Sequence, residues 1–98
     1  MNVRFEDGDL DRLETDPRFT NRLPPEIVRA FRKVMQYIRA ATDERDFYEK
    51  KSLHFEQLDG DKEGQRSMRL NDQWRLVVEL EGESPTKTVV VIKIDDYH

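Results

Sequence analysis

The hydrophobic period of this chain changes once, at Lys51, and that change constrains the fold more than any other feature. Before it, in "PPEIVRAFRKVMQYIRAAT", Ile27, Phe31, Val34, Ile38 and Ala41 follow helical spacing, with Val28 and Met35 widening the stripe. After it, apolar residues alternate with polar ones. Met68 and Leu70 oppose Ser67 and Arg69, and Trp74, Leu76, Val78 and Leu80 oppose Arg75, Val77 and Glu79. Helices first and then a run of strands predict an α+β fold, with N-terminal helices packed on one face of a small antiparallel sheet.

The remaining elements follow from local signals. "NVRF" has the composition of a short strand, but four residues decide little. "DGDLDRLETD" reads as a short helix with Leu10 and Leu13 on one face, ended before Pro17. Pro25 and Glu26 suit the first turn of the long helix. Thr42 is a candidate N-cap for a second, shorter helix. "SLHFEQL" alternates as a strand would, and "DGDKEG" and "EGESPTK" are loops. "TVVVIKI" is apolar on both faces, which places it inside the sheet. With 98 residues, the chain is read as one domain spanning 1–98.

Composition removes several classes of function. There is no cysteine, hence no disulfide, no thiolate nucleophile and no cysteine metal site. That agrees with a cytoplasmic protein, as does the lack of any apolar run long enough to span a membrane or form a signal peptide. The net charge of −4 argues against a non-specific nucleic-acid binder. Residues 21–51 nevertheless carry eight basic and five acidic groups. A locally basic surface on an acidic whole suits a restricted contact with a polyanion or an acidic partner, although solvated helix faces would give the same count.

Strand direction then gathers particular residues. If the four later strands alternate in direction, the start of "SLHFEQL" and the end of "QRSMRL" share one sheet edge. The start of "QWRLVVEL" and the end of "TVVVIKIDDYH" lie at the same edge. His54, Arg69, Arg75, Asp96, Tyr97 and His98 would converge there. Keeping Met68, Leu70, Trp74 and Leu76 on one face requires Leu70 to pair with Trp74 across a three-residue loop, Asn71-Asp72-Gln73. Arg69 then stands opposite Arg75. A direct like-charge pair destabilises a sheet unless an anion or an acidic group comes between, by up to ~1 kcal/mol. A two- or four-residue loop would abolish the pairing, and nearby carboxylates would neutralise it.

Imidazole, with a reference pKa of ~6.5, serves as base or acid near neutral pH. Two guanidinium groups hold a phosphate and neutralise charge that grows on it. Without a covalent nucleophile, one reaction class uses this set directly: RNA cleavage by the substrate's own 2′-hydroxyl. No cofactor and no metal are implied. "DGDKEG" spaces Asp59, Asp61 and Glu63 like the start of a calcium loop. The position for the bidentate glutamate is Leu70, however, so an EF-hand is excluded.

These residues carry a resemblance. Leu58, Gly60, Asp61, Gly64, then Ser67-Met68-Arg69-Leu70-Asn71-Asp72-Gln73-Trp74-Arg75, and the closing Asp96-Tyr97-His98 resemble the motifs of HigB-type toxins of the RelE/ParE superfamily, also called plasmid maintenance system killer proteins. The resemblance implies a RelE-like fold and a toxin of a type II toxin-antitoxin system. The activity it implies is a metal-independent endoribonuclease, an mRNA interferase that cuts mRNA in the ribosomal A site. It implies a HigA-type helix-turn-helix antitoxin and the ribosome as partners. The family's functional positions fall on His54, Asp96, Tyr97 and His98 for catalysis, and on Arg69 and Arg75 for phosphate or RNA binding. The alternative within the same superfamily is a ParE-like poison of DNA gyrase without an active site. A degenerate binding module that keeps the fold would be a third.

Overall fold

The computed structural model describes residues 1–58, 64–83 and 87–96. In chain order it contains β1 (Asn2–Phe5), α1 (Gly8–Thr15), α2 (Pro25–Ala40), α3 (Arg45–Glu49), a 3-10 turn (Lys51–Leu53), β2 (Glu56–Gln57), β3 (Gln65–Arg69), β4 (Trp74–Glu81) and β5 (Thr88–Asp96). The strands form one sheet in the order β1-β5-β4-β3-β2. Neighbours from β2 to β5 are antiparallel, as the alternation predicts. The sheet is mixed, however, because "NVRF" adds beside β5 in parallel, Asn2 opposite Thr88 and Phe5 opposite Val91. Four residues gave no means of foreseeing that pairing.

The predicted helical stripe is the core. Ile27, Val28, Phe31, Val34, Met35, Ile38 and Ala41 are all buried. Most of them join Leu10 and Leu13 of α1 and Phe47 of α3 over Met68, Leu76, Val78, Val89 and Val91 on one sheet face. Because β5 has strands on both sides, Val90 is as fully buried as its neighbours Val89 and Val91. That matches its apolar character on both faces.

The charges of α2 are less free than a solvated face suggests. Arg32 donates to three backbone carbonyls, Leu13 at 3.0 Å, Asp16 at 3.0 Å and Phe19 at 3.2 Å. It thereby satisfies carbonyls that the end of α1 leaves open. Arg39 forms a two-pronged pair with Glu14, 2.7 Å on each prong, and that carboxylate raises the Arg39 pKa further.

Two local expectations are corrected. Thr42 is not the N-cap of α3, which starts three residues later. Its N–H and hydroxyl donate instead to the Asp46 carboxylate, at 2.8 and 3.2 Å. Asp43 accepts from the Arg45 N–H at 2.7 Å, and bonds from the Arg45 side chain and backbone lower its pKa. "SLHFEQL" is a strand only at Glu56–Gln57, because Lys51–Leu53 wind into a 3-10 turn and His54 ends it in the left-handed region.

A β-bulge sets the phase of β5. Val78 faces Val91 whereas Val77 faces Lys93, so Ile92 is the extra residue. Without it, Val91, Lys93 and Asp95 would share the core face. With it, Ile94 turns inward opposite Leu76 and Asp95 turns outward opposite Arg75.

Candidate active site

The hairpin between β3 and β4 has the register that the hydrophobic pattern demands. Arg69 pairs directly with Arg75, and the Leu70 N–H donates to the Trp74 carbonyl at 2.9 Å. This leaves Asn71-Asp72-Gln73 as the loop. Asn71 holds it closed, its side-chain oxygen accepting from the N–H groups of Gln73 and Trp74, both at 2.8 Å. On the far side of Arg75 lies Asp95. The outward row across the three strands is therefore Arg69, Arg75, Asp95.

His54 reaches this row from the segment before β2. Its φ of 46° and ψ of 53° are left-handed, a conformation that disfavours side chains other than glycine by ~1–2 kcal/mol. The neighbours hold it there: Leu53 and Phe55 are both buried, and the Phe55 ring packs on Phe47 and Tyr48 at 5.3 and 4.8 Å. The His54 Nε2 lies 3.4 Å from Arg69 Nη1. A guanidinium only donates, so this contact is a hydrogen bond when Nε2 is the unprotonated nitrogen, the form a general base requires.

The like-charged pair is not bare. Arg69 pairs with Asp72, and Arg75 pairs with Glu56 at 3.2 Å. Both arginines are the more sheltered partners. Arg75 keeps 15% of its side-chain exposure against 60% for Glu56, and Arg69 keeps 37% against 93% for Asp72. The two carboxylates hold the cations while standing in solvent, where such pairs contribute roughly 0–1 kcal/mol. An anion with more oxygens can replace them.

His54, Arg69 and Arg75, with Asn71 and Asp72, surround one pocket of ≈ 350 Å³. Asp96 is at the same sheet edge but in register with Trp74. Its carboxylate accepts from the Gln73 amide at 3.0 Å, which anchors the end of β5 to the hairpin loop. Tyr97 and His98 lie outside the described residues, as do Asp59, Gly60, Asp61 and Glu63 of the "DGDKEG" loop. The sequence reading allowed that nearby carboxylates neutralise the arginines but did not name them; they are Asp72 and Glu56. The signal was present in their spacing: Asp72 follows Arg69 by three residues in a tight turn, and Glu56 begins the strand beside β3.

This geometry can be set beside known proteins. The family model HigB-like toxin, described as the RelE-like toxin of the type II toxin-antitoxin system HigB, matches residues 3–98. The chain belongs to that family. It is therefore a RelE-like toxin of a type II toxin-antitoxin system, and the family implies an antitoxin partner. No curated protein matches it. The fold is similar to that of a YoeB/ParE toxin from Agrobacterium tumefaciens, with 19% identity, a TM-score of 0.62 and 100% of both chains covered. At that identity the likeness concerns the fold alone. Among the described residues, no helix of this HigB-like toxin is long and apolar enough to cross a membrane.

Proposed function

We propose that this toxin is a metal-independent endoribonuclease that cuts mRNA in the ribosomal A site, and that a HigA-type helix-turn-helix antitoxin neutralises it. The observation that carries the reading is the Arg69–Arg75 cross-strand pair with an imidazole beside it. An outward row of two arginines is unfavourable for a sheet by itself. It becomes favourable when a phosphate bridges them.

In this mechanism Arg69 and Arg75 hold the non-bridging oxygens of the scissile phosphate. His54 takes the proton from the 2′-hydroxyl as the 2′-oxygen attacks phosphorus. The bond from phosphorus to O2′ forms and the bond to O5′ breaks. His98 supplies a proton to the departing 5′-oxygen, leaving a 2′,3′-cyclic phosphate and a 5′-hydroxyl. Tyr97 positions the nucleotide. Asp96 holds the chain end at the sheet edge and assists His98.

The test is primer-extension mapping of transcripts from cells expressing the toxin, with and without translation, together with end-group analysis. Cuts confined to translated messages, with cyclic or 3′-phosphate ends that persist in EDTA, are expected. Ends bearing a 3′-hydroxyl, or full loss of cutting in EDTA, would sink the mechanism. Intact mRNA with signs of DNA damage would assign the chain to gyrase poisoning instead. Deleting His98 should leave folding nearly intact and slow cutting by roughly 10²–10⁴-fold.

A further inference from the structure

A second cleft, larger than the His54 pocket, has no part in the chemistry above. It measures ≈ 490 Å³ and runs between α2 and residues 50–53. Val34 and Leu53 give it an apolar floor, Tyr37 a polar aromatic wall, and Lys33 and Lys50 two cations. Arg69 lines this cleft and also the His54 pocket, so the two share one arginine.

Its charge is one-sided. No carboxylate lines it among the described residues. Arg32 and Arg39 of the same helix are bound to carbonyls and to Glu14, whereas among the described residues neither Lys33 nor Lys50 has a carboxylate partner. Lys50 sits over the Tyr37 ring at 5.0 Å. The Tyr37 hydroxyl is fixed by donating to the Asp46 carbonyl at 2.8 Å. An apolar floor with cations above it fits a flat heterocycle joined to a phosphate, and the volume lies in the range of small-ligand sites. A polyanion seated at Arg69 and Arg75 therefore meets the further cations Lys33 and Lys50 if it extends past Arg69 into this cleft.

We propose that this cleft is the subsite for the nucleotide adjoining the scissile phosphate. Val34 and Leu53 receive its base, and Lys33 and Lys50 bind its phosphate. The inference rests on the reading of RNA as substrate.

The test compares two probes on the full chain: a single nucleoside 3′-phosphate, and an RNA trimer whose 2′-hydroxyls are replaced by hydrogen so that it cannot be cut. On the unaltered chain the trimer should bind at least ten-fold more tightly. In Lys33→Ala/Lys50→Ala that gain should fall below three-fold while the mononucleotide binds as before. The slope of log affinity against log salt should drop by about 0.7 for each phosphate that the variant no longer neutralises. Lys33→Arg/Lys50→Arg should keep the gain. Both lysines are exposed, and an unchanged melting temperature will show that the alanine variant folds. A gain that persists in the alanine variant overturns the proposal. So does a gain that persists while the variant escapes its antitoxin, which would make the cleft a peptide site. Failure of the wider reading looks different: Arg69→Ala and Arg75→Ala would then leave mononucleotide binding unchanged, and the subsite would fall with it.

Discussion

Replacing His54 by glycine should make the toxin more stable and inactive at once. The residue sits at φ 46°, ψ 53°, where a β-carbon costs roughly 1–2 kcal/mol and glycine has no such penalty. Glycine also frees the unfolded chain, which offsets ~0.4–1 kcal/mol of that gain. The His54 side chain is exposed, and its polar contact is the 3.4 Å approach to Arg69, so little is lost with the imidazole. His54→Ala keeps the strain and loses the ring, and is the proper reference. The difference between the two variants should be about 0.5–1 kcal/mol in favour of His54→Gly, from the same two terms. In a chain of this size that places its melting temperature about 2–8 °C above that of His54→Ala. Thermal and urea unfolding read the stability, and cutting of mRNA on programmed ribosomes reads the activity, which both variants should lack. If His54→Ala melts as high as His54→Gly, the backbone there is not strained. If His54→Gly still cuts, the imidazole is not the base.

Removing either carboxylate that holds an arginine should strengthen anion binding: Glu56→Gln and Asp72→Asn should each raise affinity for inorganic phosphate about 1.5–5-fold, the equivalent of ~0.2–1 kcal/mol, and titration showing weaker binding would refute their role as displaceable partners. Arg32→Met strips three hydrogen bonds from the carbonyls of Leu13, Asp16 and Phe19 and should lower unfolding free energy by about 2–3 kcal/mol. Urea denaturation measures that loss, and Arg29→Met on the exposed side of the same helix should stay within about 0.5 kcal/mol of the parent. Deleting Ile92 should leave a regular ladder with Ile94 inward and Asp95 outward, and therefore a folded protein, as circular dichroism would show; an unfolded variant would refute the bulge assignment.

Much of this structure was legible because alternation has only two phases. In the β3–β4 hairpin a slip of one residue would have turned Met68, Leu70, Trp74 and Leu76 to the wrong face. The loop length and the Arg69–Arg75 pairing therefore followed from apolar positions alone. The same logic failed at β5, for a physical reason. "VVVI" is apolar at every position, so its pattern cannot report which residue is the bulge, and the outward turn of Asp95 was invisible. It failed at His54 as well. Leu53 and Phe55 are buried on either side of it in the left-handed turn, as they would be in a strand. Two conformations thus share one apolar pattern.

The arginine pair itself shows what charge arithmetic on a sequence can reach. A sheet tolerates Arg69 opposite Arg75 only with negative charge nearby, and that inference holds. The negative charge in the free protein comes from its own Asp72 and Glu56, the neutralisation by nearby carboxylates that the sequence allowed without naming the residues. Their exposure decides what they mean. A carboxylate sheltered with its arginine would be costly to remove, by ~3–5 kcal/mol for a buried pair, and would argue for a purely structural pair. Carboxylates 60% and 93% exposed leave readily, while the sheltered guanidinium of Arg75 stays where β4 fixes it. On the proposed reading, the toxin folds with its anion site provisionally filled by its own surface, and a bridging phosphate has only two weak contacts to displace.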